Sequence, residues 1–427
     1  MKTFAISLKR NAALLFKNRK LNLFLLFSAY FFIGVLFTRL MKSTGVGYSV
    51  DDNLRYNHLS NQILAGNFNL NIGIFIVAPL YPYLEAFVKL LTGNHWIIGM
   101  IFVQIILFSL SGIYLYLIAE LLFEEYSRRI PLLSAFIYLI FPMTMWFVGT
   151  FSQEMLFQSL FIITIYYLLK ALKEQNLKSL ITSAFLYLLT FLTKSHILLF
   201  SPFIVLIIFI SMNTTKIRKL VYSLMFGGIC LLFTLPYGLY NLRVNGVYTF
   251  STNGADFFFY TGNNESTYKF LVATPSINSS EYKWLASMSW IPSDAVKDRK
   301  LYIIKALQWI KDNPRKFIEL KKVDLFQFLT PGVSYKHYPF NKWLQSFIVS
   351  LPIYLFGYLG IIIALTKDFR KHVWILSLFL TMIIFSVGFY VQNRFRTITI
   401  EPFYIVYSAF GIWYFLKQIP LGKILQH

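Results

Sequence analysis

Three acidic and four basic residues carry the chemistry that this sequence offers. Asp51 and Asp52 stand side by side in YSVDDNLRY, and Glu154 sits in GTFSQEMLFQ. Lys194, Arg243, Arg394 and Arg396 lie in LTKSHILLFSP, YNLRVNG and VQNRFRTITIEP. Adjacent carboxylates can deprotonate an acceptor hydroxyl, hold a divalent cation, or cap a following helix. A cap needs only one carboxylate, and Asp52 is the better placed for it, which leaves Asp51 for chemistry. Glu154 suits a second acidic role, or simply a first-turn acid at the positive end of a helix. Lys194 reads either as a cation snorkelling to an interface or, with Arg394 and Arg396, as a ligand for a diphosphate or phosphodiester, for which arginine forks are well shaped. The histidines (His58, His95, His196, His337, His372 and His427) are scattered without a HExxH run, and the lone Cys230 lies in an apolar stretch. A dedicated zinc site and a disulfide framework are therefore not expected; Asp51, Asp52 and Glu154 stand as the ligands for any divalent ion.

The elements that must position these groups are membrane spans. The 427 residues are 57% hydrophobic and only 14% charged, far below the roughly 25% charged residues of a soluble domain. Mean hydropathy is +0.58, and the apolar residues fall in blocks near the roughly 20-residue length of a bilayer crossing. The net charge of +22 sits mostly in short connections between blocks, so it reads as membrane orientation rather than nucleic-acid binding. The fold class is thus an all-α polytopic membrane protein with about ten spans. They are Leu21–Met41, Trp96–Leu122, Ile130–Thr150, Met155–Leu172, Leu180–Thr193, Ile197–Met212, Leu220–Tyr240, Phe347–Thr366, Val373–Val391 and Ile398–Leu416. The first span is read as retained, because it lacks a signal-peptide cleavage site.

The positive-inside rule places the basic connections and both termini in the cytoplasm. That assignment requires the block Ile72–Leu91 not to cross. It carries Pro79, Pro82, Glu85 and Lys89, which suits a helix lying along the membrane with Lys89 accessible from outside. The stretch before it, Asp52 to Gly66, has helical apolar spacing, with Gly66 placed as its stop. The organisation is then a module over residues 1–240 with a catalytic first outer loop at 42–95, a long outer loop at 241–343 with amphipathic helices on the membrane surface, and terminal spans over 344–427. All seven candidate site residues fall on the outer side.

Several segments together resemble the GT-C superfamily of integral-membrane glycosyltransferases, in the branch of protein O-mannosyltransferases and the lipid A aminoarabinose transferase. The segments are YSVDDNLRYNHLSNQILAGNFN with APLYPYLEAFVKLLTG, FPMTMWFVGTFSQEMLFQSLF, LTKSHILLFSP, PYGLYNLRVNGVYTFSTNGADFFFYTGNN, ALQWIKDNPRKFIEL and NRFRTITIEP. The resemblance runs in family order over most of the chain. It implies an enzyme that moves a sugar from a polyprenyl-phosphate donor to a lipid-linked glycan, glycolipid or protein acceptor on the non-cytoplasmic face, with inversion. By the same resemblance Asp51 is the catalytic acid position, Asp52 its partner and Glu154 the second acid. Lys194, Arg394 and Arg396 fall at donor-phosphate positions. Tyr240 stands where the family has arginine, so Arg243 substitutes there or the contact is lost. No large soluble domain follows the last span, which argues against a protein acceptor. No cofactor beyond a divalent cation is implied, and richness in Lys, Asn, Phe and Ile points to the plasma membrane of an AT-rich prokaryote. The competing reading is a flippase of a lipid-linked glycan, which would place its polar groups at the midplane within inverted repeats. A third is a ligase or polymerase using a lipid-diphosphate donor.

Overall fold

The computed structural model describes residues 19–43, 51–72, 75–273, 300–389 and 392–418. These are almost wholly helical, apart from an antiparallel pair of two-residue strands, Asn71–Ile72 and Phe75–Ile76. Among the described residues six segments are long and apolar enough to cross a membrane: Arg19–Met41, Leu80–Phe123 (interrupted at Gly93–His95), Glu154–Glu174, Lys216–Asn245, Phe340–Lys367 and Phe369–Gly388. A bent pair, Arg129–Ile140 with Pro142–Val148, makes a seventh if counted as one span. The count of ten is not reached by this measure, because several apolar blocks are broken or short. The block from Ile130 to Thr150 bends by 58° where Phe141 turns extended ahead of Pro142, as the residue before a proline must. Leu177–Thr193 has 17 residues and Ser201–Ser211 has 11. The last apolar block divides into Asn393–Thr399 and Glu401–Gln418.

Close packing follows from small residues at helix crossings. A Cβ on Gly360 would overlap the Tyr407 carbonyl, and one on Gly411 the Phe356 carbonyl, so Phe340–Lys367 and Glu401–Gln418 touch backbone to backbone. Gly112 likewise admits the Tyr30 ring, whose hydroxyl donates to Ala135 O at 2.7 Å. Either contact would be lost to an alanine.

The ends of the bundle differ in charge. At one end Arg19 pairs with Glu120 at 2.6 Å and Lys371 with Glu125 at 2.7 Å, while Lys173 donates to Leu121 O. Ser211 bonds Arg370 O, and Gln175 bonds Asn213 O. Arg19 and the basic connections after Phe123, Glu174, Ser211 and Lys367 thus gather at one end, as the charge pattern requires. Arg19 and Glu120 begin and end their helices, so the chain leaves Ser43 and re-enters at Trp96 from the opposite end. Leu80–Thr92 lies in that excursion. Its 13 residues span about 20 Å, short of a hydrocarbon core of roughly 30 Å. It folds back on the next helix: Gly93 has φ +54°, and Val88 Cγ1 lies 2.8 Å from where a Gly99 Cβ would stand. A straight helix would hold those two residues about 16 Å apart.

One expectation for this helix is corrected. Lys89 is not a surface cation. Glu85 and Lys89 are 1% and 7% exposed and form an ion pair at 3.0 Å, while Phe87, Leu90 and Leu91 face outward. Lys89 Nζ also reaches Asn57 Oδ1 at 2.5 Å, Ser60 Oγ at 2.6 Å and Asn61 Oδ1 at 2.9 Å. Each of its protons is satisfied on the helix Asp51–Leu64, as burial of a charge demands. The sidedness test therefore moves to Asn94, exposed in the turn that follows. In a Cys230→Ser background, a cysteine at Asn94 is expected to take a membrane-impermeant maleimide in intact cells, and one at Arg129 only after permeabilisation. Equal labelling of both without permeabilisation would break the proposed sidedness.

Candidate functional site

Glu154 is the first residue of the helix Glu154–Glu174, and Lys194 ends the helix Leu177–Thr193 in extended backbone, φ −147° and ψ 117°. That break turns the lysine inward. Its Nζ meets Glu154 Oε1 at 2.7 Å, with side chains 5% and 2% exposed. Arg394 stands 3.6 Å from the same oxygen with 40% of its side chain exposed, and its Nε donates to Gln392 Oε1 at 2.6 Å. Both cations lie over Phe395, at 4.8 and 5.8 Å from the ring centroid. One buried carboxylate therefore holds two cations, one sequestered and one opening outward. Two positive charges on Glu154 disfavour a divalent ion there, and among the described residues no three His, Cys, Asp or Glu side chains converge.

The first-loop helix is seated beside this cluster. Tyr56 packs edge-to-face on Tyr81 at 4.8 Å, and both share an apolar cluster with Met100, Phe151 and Leu156, on either side of Glu154. The helix begins at Asp51, two residues earlier than a cap at Asp52 requires. Five residues separate Asp51 from Tyr56, about 7.5 Å along the axis. The side chains of Asp51 and Asp52 lie outside the described part. The helix stops as expected, with Gly66 at φ +83°. Its buried face is Asn53, Tyr56, Leu59, Ser60 and Ile63, whereas Leu54 and Leu64 are exposed.

A strap from the second loop ties both sides together. Asn253 Oδ1 accepts from Ile76 N at 2.9 Å, Ser195 Oγ meets Thr252 Oγ1 at 2.6 Å, and Ser251 donates to Phe191 O. Further out, Ile303, Ile304 and Leu307 of the helix Lys300–Asp312 face outward while Tyr302 and Ala306 pack inward. Burial pushes the Asp324 carboxyl up to about 6, although Lys321 stands 2.9 Å away.

The four cations part company in the structure. Arg396 is 1% exposed. Its Nε donates to Glu401 Oε1 at 3.0 Å, and its terminal nitrogens donate to the carbonyls of Gln327, Phe328, Thr330 and Gly332. Those bonds staple the end of the helix Pro314–Leu329 to the last span, so the guanidinium is engaged in the fold. Arg243 is exposed on the last turn of Lys216–Asn245, and among the described contacts no hydrogen bond or ion pair joins it to Glu154.

Residues 77–240 match the family model described as dolichyl-phosphate-mannose-protein mannosyltransferase. No curated protein matches the chain. Among solved structures, the chain resembles the apo oligosaccharyltransferase of Archaeoglobus fulgidus with a TM-score of 0.60 and 14% identity, over 96% of this chain and 52% of that one. The same archaeal enzyme, AglB, in complex with an inhibitory peptide and a dolichol-phosphate, gives 0.52 and 14% over 88% and 47%. Tethered to an acceptor peptide containing the NVT sequon, it gives 0.54 and 16% over 88% and 46%. The chain spans about half the length of these structures, and at such identity the likeness is one of fold.

Proposed function

Proceeding from the resemblance of residues 77–240 and of the whole fold to the GT-C superfamily of integral-membrane glycosyltransferases, we propose that this chain transfers a sugar from a polyprenyl-phosphate donor to a lipid-linked glycan, glycolipid or protein acceptor on the non-cytoplasmic face. The observation that carries the reading is the Glu154–Lys194–Arg394 cluster beside the helix that begins at Asp51. A half-exposed cation stands in the same part of the fold as the helix that begins with an acidic pair, at the end of the bundle away from the basic connections.

The groups divide the work as follows. Asp51 takes the proton of the acceptor hydroxyl while its oxygen attacks the anomeric carbon. The bond from that carbon to the phosphate oxygen breaks on the opposite face, and the electron pair leaves with polyprenyl phosphate. Arg394, steered by Glu154 and backed by Lys194, stabilises the growing phosphate charge. Direct displacement inverts the anomeric centre. Arg396 is left out of the donor site, since its bonds hold the fold; Arg243 is kept as an outlying phosphate contact in place of the family's arginine.

The decisive experiment incubates purified protein with a polyprenyl-phosphate sugar and candidate acceptors and measures release of polyprenyl phosphate. Arg394→Gln is expected to raise the KM for donor by roughly tenfold to a hundredfold, the worth of one charge-assisted contact of about 1.5–3 kcal/mol, and to leave the KM for acceptor unchanged. Equal loss for both substrates would remove Arg394 from the phosphate site. Vectorial movement of the lipid without turnover would favour a flippase.

A further inference from the structure

Arg394 is a long side chain that Glu154 attracts but does not orient. Its Nη1 stands 3.6 Å from Glu154 Oε1, beyond the usual length of a charge-assisted hydrogen bond, and that oxygen already accepts from Lys194 Nζ at 2.7 Å. The Phe395 ring is shared in the same way, with Lys194 at 4.8 Å and Arg394 at 5.8 Å from its centroid. Lys194 takes the closer place on both. Coulomb and cation–π attraction at these separations keep a charge nearby without fixing the plane of a guanidinium.

A directional contact comes from Gln392, whose Oε1 accepts from Arg394 Nε at 2.6 Å. The local backbone makes it possible. Within one helix, side chains two positions apart point about 200° from each other. Gln392, however, is extended, φ −130° and ψ 131°, directly ahead of the helix Asn393–Thr399, so the chain turns between the two residues and their side chains meet. The atoms suit the task as well. Nε joins the guanidinium to its stem, so a bond there, with Glu154 drawing Nη1 from another direction, sets the plane in which the other donors of the fork lie. The acceptor is a neutral carboxamide, which orients the cation without cancelling its charge as a second carboxylate would.

We propose that Gln392 is the positioning residue of the phosphate site: it holds the Arg394 guanidinium in the orientation that takes the donor phosphate, and itself touches neither substrate. This rests on the lipid-phosphate donor reading above. An arginine ordered before the lipid arrives loses less freedom on binding it, and in this way a residue without substrate contact adds affinity.

The test uses the full chain in detergent or nanodiscs, with polyprenyl phosphate and polyprenyl-phosphate mannose as probes. Gln392→Leu and Gln392→Met stay near the parent in size and remove the amide oxygen. Each is expected to weaken binding of both lipids by about three- to tenfold, the cost of ordering one long side chain on binding, with the KM for acceptor and the melting temperature close to those of the parent. The discriminating measurement repeats Gln392→Leu in an Arg394→Lys background. Lysine has neither an Nε–H nor a planar fork, so the second substitution should there change lipid binding by less than about twofold, the mark of two residues that act through one contact. A role in the fold alone would weaken binding by the same factor in both backgrounds. That additive result overturns the proposal, as does a melting temperature well below the parent's in both Gln392 variants. If the parent binds and Arg394→Gln is impaired, parent-like binding by Gln392→Leu and Gln392→Met overturns the positioning role alone. Failure of the parent to bind either lipid would overturn the donor reading itself.

Discussion

Asp51→Asn is expected to lower turnover by roughly 10²–10⁴-fold, the contribution that a positioned general base makes, with protein level and donor affinity nearly unchanged. The substitution keeps size and most hydrogen bonding but removes basicity. Asn also serves a helix start about as well as Asp, so lost capping cannot account for a large effect. The helix begins at Asp51. Lys89 holds that helix through Asn57, Ser60 and Asn61, so the proposed base sits on a clamped element. Asp52→Asn should be the milder change. Single-turnover rates with a polyprenyl-phosphate sugar decide the matter. Normal turnover of Asp51→Asn beside a dead Asp52→Asn or Glu154→Gln would move the base to one of those residues, and activity in all three would remove all three carboxylates from the role of base.

How much of this was legible beforehand depended on whether the signal was local. Long apolar runs and the parity of basic connections needed only counting, and the gathering of Arg19, Lys173, Arg370 and Lys371 at one end follows that parity. The breaks at Phe141 and between Thr399 and Glu401 each lie beside a proline, Pro142 and Pro402, but they are hidden by an apolar pattern that runs through them while the backbone does not. Glu85 and Lys89 showed the spacing of an exposed helical pair. Their burial depends on Asn57, Ser60 and Asn61, some 28 to 32 residues earlier, and no local pattern announces such a partner. Glu154 and Lys194 could be singled out by residue type, but their pairing across 40 residues belongs to the packing of two helices. Arg394 and Arg396 are the sharpest case. Two positions apart on a helix, they point about 200° from each other, so at most one faces a given site, and sequence alone does not say which.

The structure assigns them opposite fates, and this gives the last prediction. Arg396→Met should cost the fold about 3–5 kcal/mol, the usual penalty for stripping one partner from a buried ion pair, since Glu401 at 1% exposure would keep its charge against only the Tyr354 hydroxyl at 2.7 Å. The carbonyls from Gln327 to Gly332 would lose their common donor as well. Arg396→Lys should rescue little, because an ammonium has three donors and no planar fork to span Glu401 and the carbonyl cluster at once. In a melting series of detergent-purified variants, Arg396→Met and Arg396→Lys are expected well below the parent, while Arg394→Gln melts close to it and fails at donor binding. Arg394 can be removed from the fold cheaply because it is 40% exposed, and Glu154 keeps Lys194 at 2.7 Å. A parent-like melting temperature for Arg396→Met, together with a selective loss of donor affinity, would return that residue to the phosphate site and undo the division of labour drawn here.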